Sequence, residues 1–200
     1  MDMNPPIAQA AEVEQYFVAQ AVEQQFMAEL SRATGIVNRL KRTSRNVIRL
    51  MRRLRENVNA DQRALIEDQL TNEFEAALHQ AGVSPGMVPQ LAMLLAHTTV
   101  EDIDIVMAQH GDSIVVYFLC KTIKALYKLG QMIVSGFMHA VFAVAVESLA
   151  RTTVDVYVRA DEFNLKLLCL STPQDRGTSI PGMVFVVIYC CRRLRQPRQA

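Results

Sequence analysis

Apolar positions recur at helical spacing through roughly the first half of the chain and at alternating spacing after it, so the pattern predicts helices followed by a small sheet. From Ile7 to about Arg55 the residues are mostly Ala, Gln, Glu, Leu and Arg with no proline, which favours one long helix or two with a break near Gly35. Within that stretch Ile36, Leu40, Val47, Met51 and Leu54 fall on one helical face. Asn59, Ala60 and Asp61 supply a turn and an amino-terminal cap for a second helix over 62–80, which Gly82 closes. The two helices are expected to form a hairpin. Ser84-Pro85-Gly86 is the clearest break, and a short apolar helix over 87–96 bridges to the next unit.

Beyond it Ile103, Ile105 and Met107 alternate with Asp102 and Asp104, the pattern of a half-exposed strand. Gln109-His110-Gly111-Asp112 reads as a hairpin loop. Ile114 to Cys120 is apolar at nearly every position, as expected of a central strand covered on both sides. Such a sheet needs helices against it, and 121–149 supplies one. Thr153 to Arg159 reads as a third strand with Val154, Val156 and Val158 toward the core. For 160–170, Asp161 as a cap favours helix over strand. The expected fold is therefore α+β: a small, mainly antiparallel sheet packed on helices and preceded by a long helical hairpin. The expected division is 1–83 as helical extension, 84–171 as the α+β domain, and 172–200 as a loop, an apolar strand or anchor and a basic tail.

Charge changes this picture locally but not globally. Lys and Arg number 21 against 20 Asp and Glu, so a net charge of +1 exerts no overall pull on nucleic acid, membranes or acidic substrates. Yet Ser31 to Arg55 holds Arg32, Arg39, Lys41, Arg42, Arg45, Arg49, Arg52, Arg53 and Arg55 with no acid, whereas Glu56 to Asp112 holds ten acids and only Arg63. The basic block is an amphipathic helix suited to anionic lipid, a partner's groove or a phosphate backbone. The plainer reading packs its apolar face on the downstream helices and pairs its arginines with Glu67, Glu73 and Glu75. Arg39, Arg42, Arg45, Arg49, Arg52 and Arg53 are the candidate interaction face. The block has no aromatic residue to stack on bases, which disfavours nucleic acid as a partner.

Chemistry is sparse. The chain contains no G-x-x-x-x-G-K-[ST], G-x-G-x-x-G, H-E-x-x-H or G-x-S-x-G pattern. His79, His97, His110 and His139 lie far apart, and His110 near Asp112 reads as loop polarity. Cys120, Cys169, Cys190 and Cys191 form no C-x-x-C pair and have no histidine at zinc-finger spacing. No catalytic residue, cofactor or metal is expected, and the protein is expected not to be an enzyme. Met1 to Ala11 lacks a basic segment followed by an apolar run, so a reducing, cytoplasmic setting is expected.

Two segments carry a membrane signal. Leu129 to Val146 is uncharged over eighteen residues, about 27 Å of helix at 1.5 Å per residue. A buried helix is the preferred reading, since the strands on either side need cover. Near the carboxyl end, "GMVFVVIYCCRRLRQPR" reads as a fourth strand or, alternatively, as an interfacial anchor. In the second case Cys190 and Cys191 are lipidation candidates beside Arg192, Arg193 and Arg195.

The stretch "VEDIDIVMAQHGDSIVVYFLCKTIKALYKLGQMIVSGFMHAVF" resembles the TRADD N-terminal-like family of death and innate-immunity signalling proteins. Gly111 and Ser113 match a turn in which the family more often has Gly directly followed by Ser. Leu126, Leu129 and Gly136 match the family's paired leucines and mid-helix Ser-Gly, and Thr153 to Asp161 resembles its closing strand. The resemblance covers residues 98–170, and the helix lacks the family's usual charges between Lys128 and Glu147. It implies an α/β sandwich that binds protein: a cytoplasmic, non-catalytic adaptor in apoptosis or innate immunity whose partner is unidentified. The helical hairpin would serve docking or homo-oligomerisation. The alternative is a membrane-associated protein held by helix 129–146 or by the basic helix and the Cys-Arg tail.

Overall fold

The computed structural model describes the backbone of residues 6–110, 114–150, 155–159, 166–168 and 183–193, with side chains over 20–106 and 114–150. The fold is α+β, as the pattern predicts. The first helix, α1 (Pro6–Thr43), begins on a proline whose fixed φ suits the first turn. It buries Val22, Phe26, Leu30, Ala33 and Val37 along one stripe. The helix runs through Gly35, with open space around its Cα, and breaks instead at Ser44. A helical glycine costs about 1 kcal/mol relative to alanine, which the burial of the next two residues, Ile36 and Val37, offsets. Ser44 leaves the helix at φ −79°, ψ 118°, and its hydroxyl accepts from the Val47 amide to cap α2 (Arg45–Arg55).

Asn59 caps α3 (Ala60–Gln80) in a reciprocal box with Gln62. The helix closes on Gly82 at φ +72°, where the Gly82 and Val83 amides donate to the His79 and Leu78 carbonyls. Val83 and Leu78 are both buried, completing a Schellman ending. The bridging helix α4 (Val88–Val100) extends four residues past Ala96 and is buried on nearly every side, against α1, α3, α6 and the sheet. Its buried Thr98 and Thr99 hydroxyls both donate to the Leu95 carbonyl, so neither hydroxyl is stranded. The core runs through residue 83 without interruption, from Leu78 in α3 to Met87 and Leu91 beyond it.

In β1 (Ile103–His110) and β2 (Ile114–Cys120), Gln109 and His110 pair with Val115 and Ile114, so these residues are strand rather than loop. Residues 111–113 lie outside the described set. A register shift between Ile105 and Met107 pairs Met107 with Tyr117, interrupting the alternation expected from Ile103 and Ile105 onward. Along β2 one face is fully buried and the other half-buried, not covered equally on both sides. The single helix expected over 121–149 is two: α5 (Ile123–Val134), capped by Thr122, and α6 (Phe137–Ala150), bent 61° apart. Gly136 makes the bend at φ +81°, where a side chain would be strained.

Then follow β3 (Asp155–Arg159), β4 (Lys166–Leu168) and β5 (Met183–Arg193). Residues 166–168, expected to be helical, are a short strand; Val154 and the rest of 160–170 lie outside the described residues. The sheet order is β1-β2-β5-β3, with β4 also on β5, and every pairing is antiparallel. Thus 183–193 forms an inner strand. The helices cover the face bearing Ile103, Ile105, Ile114, Val116, Phe118 and Cys120. Phe26 of α1 meets Phe142 of α6 edge to face at 5.8 Å in the same core.

Candidate functional site

The break at Ser44 decides how the basic block is displayed. Ile36 on α1 and Val47 and Leu50 on α2 enter the core, with Leu40, Met51 and Leu54 packed against it. With those faces turned inward, Arg39 and Arg42 on the last turns of α1 are exposed, and so are Arg45, Arg49 and Arg52 on α2. The last three recur at i, i+4 and i+7, one stripe of the helix. Arg53 is half-buried, and exposed Ile48 lies beside the stripe.

Two of the acids expected to neutralise these arginines, Glu67 and Glu73, are otherwise engaged. Glu67 lies 2.8 Å from Nδ1 of His97, whose ring stands against Phe137 at 4.8 Å. Glu73 accepts from the Asn46 amide, and Arg63 donates to the Val100 carbonyl. The Arg42 Nε donates to the Asn38 carbonyl within its own helix. Among the described residues no carboxylate forms an ion pair with any of the six arginines. The pairing with Glu67, Glu73 and Glu75 is therefore replaced by an open cationic surface. Among the described residues the block's ion pair with the acidic half is made by Lys41, which is largely buried and meets Asp104 at 2.9 Å. Lys121 meets the other Asp104 oxygen at 2.9 Å. Burial alone would raise the Asp104 carboxyl, but the charges of and hydrogen bonds from these two lysines hold it below its ordinary value.

A second surface was not legible in the sequence. On α5, Ala125, Leu129 and Met132 face the core, while Ile123, Tyr127 and Val134 are 83 %, 71 % and 89 % exposed. Leu126, Gly130 and Ile133 help line an open apolar hollow of about 740 Å³ beside them. No single described helix is long and apolar enough to cross a membrane; α5 and α6 reach that length only as a bent pair. Cys190 and Cys191 stand in the ladder of β5, paired with Ile114 and Val158 and with Tyr157. Burial pushes the Cys120 thiol up to about 11, so it stays protonated at neutral pH. His79 and His139 are exposed on separate helices, and no three His, Cys, Asp or Glu residues gather among the described ones.

No family model, curated protein or solved structure matches the chain. Function therefore rests on the two surfaces themselves.

Proposed function

We propose that the chain is a non-catalytic protein-interaction module, an adaptor-type domain of cytoplasmic death or innate-immune signalling, that docks an acidic protein segment on Arg39, Arg42, Arg45, Arg49, Arg52 and Arg53. The observation that carries this reading is an exposed arginine stripe without carboxylate partners among the described residues, held by helices that bury Ile36, Val47 and Leu50 in the core. Arginine forks suit bidentate recognition of carboxylates, and exposed Ile48 adds an apolar contact within the cationic field. A protein segment is favoured over nucleic acid because no aromatic side chain lies among these residues to stack on a base. The adaptor setting rests on the resemblance of residues 98–170 to the TRADD N-terminal-like family.

The test is capture from animal-cell extract by the intact chain and by a variant with Arg45, Arg49, Arg52 and Arg53 changed to Gln, followed by titration of each purified partner. An acidic partner should bind the native chain, weaken as salt rises, and lose about tenfold or more with the variant. Equal binding by a variant with an unchanged circular dichroism spectrum would sink the reading.

A further inference from the structure

We propose that α5 is a membrane-docking element that lies in the surface of an anionic bilayer, a role separate from the arginine face and independent of it. Ile123, Tyr127 and Val134 project from the helix with Gly130 in the same row, at spacings of four, three and four residues. At 1.5 Å per residue this ridge is about 16 Å long. It stands on a helix whose opposite stripe, Ala125, Leu129 and Met132, is anchored in the core, so the ridge cannot be turned inward. Three large apolar side chains more than two-thirds exposed on twelve residues of helix are costly in water and require cover.

Charge selects what covers them. No acid occurs from Ser113 to Val146, and Lys124 and Lys128 follow Ile123 and Tyr127 by one residue each, flanking the ridge on one side. A second copy packed antiparallel on this ridge would bring the same lysines beside these, which disfavours that mode of self-association. An anionic bilayer matches both halves: hydrocarbon for Ile123 and Val134, headgroup phosphates for the two lysines, and the boundary between them for the tyrosine hydroxyl. The Gly136 bend sends α6 away toward the core, leaving α5 to lie in the plane as an interfacial helix does. The hollow lined by Leu126, Gly130 and Ile133 gives space beside the ridge for an acyl chain.

The chain has no tryptophan, so Tyr127→Trp places a single tryptophan, selectively excited, on the ridge. Titrated with phosphatidylcholine vesicles containing phosphatidylserine, the full chain should show a blue shift and sediment with the vesicles, and should do neither with phosphatidylcholine alone. Exposed-site variants Ile123→Asn and Val134→Asn should abolish co-sedimentation, and Lys124→Gln and Lys128→Gln should each weaken it about fivefold. The proposal is overturned by a lack of blue shift on anionic vesicles. It is equally overturned by a shift that tracks protein concentration without lipid, which would mark a second copy. Binding that survives the α5 changes but is lost when the α2 arginines become Gln would also overturn it, and would assign the membrane to the other surface.

Discussion

Asp104 sits where three elements meet, receiving Lys41 from α1 on one oxygen and Lys121, just before α5, on the other. Replacing it with Asn leaves Lys41, which is 12 % exposed, with an uncompensated charge. Between the small value of surface pairs and the large cost of breaking buried ones, Asp104→Asn should destabilise the fold by about 1–2 kcal/mol at pH 7 in urea titration. Because its folded pKa is depressed, the stabilisation is fully present above the unfolded carboxyl value of 3.8 and is lost as pH falls through the folded one. Native and variant chains should therefore converge in stability below that value. A gap that persists unchanged in acid would mean the aspartate acts through shape alone. The sequence showed a basic block and an acidic segment that should attract, but which lysine met which acid was a matter of side-chain reach. Lys41 and Asp104 are 63 residues apart, and only the packing of α1 along β1 joins them.

At the scale of elements, a glycine within a helix and a glycine between two helices behave oppositely. Gly35 lies inside α1 with room for a side chain, so Gly35→Ala should stabilise by about 0.5–1 kcal/mol through helix propensity and a less flexible unfolded chain. Gly136 holds φ +81° between α5 and α6, so Gly136→Ala should destabilise by about 1–2 kcal/mol. Thermal unfolding of the two variants in parallel should move in opposite directions; matching signs would place the helix break elsewhere. Composition pointed to Gly35 as the weaker spot, because an isolated glycine in a helical pattern looks the same whether its neighbours are buried or not. The same blindness hid the α5 ridge. Ile123, Tyr127 and Val134 differ from Ala125, Leu129 and Met132 only in which stripe faces the sheet, and an apolar residue does not announce its side. The exposed arginines were legible, since their spacing and charge require solvent or an anion, but their lack of acid partners among the described residues was not.

For the whole molecule, the consequence lies in α4, whose buried residues are covered by α1 and α3 as much as by the sheet and α6. A fragment beginning at Ser84 should therefore expose Leu91, Leu94 and Leu95, bind a hydrophobic dye and unfold without a cooperative transition. A fragment that melts sharply like the full chain would show that 84–200 is an independent unit. Periodicity and capping residues in the sequence determined the α+β class, the cap at Asn59, the ending at Gly82, and the antiparallel pair of β1 and β2, because each depends on residues within one or two turns of the chain. Tertiary structure alone decided that β5 enters between β2 and β3, that α1 and α3 share a core with the sheet, and that the arginine stripe and α5 ridge remain uncovered. Those outcomes depend on partners distant in sequence, whose competition for the same apolar surface is settled by which packing buries the most of it.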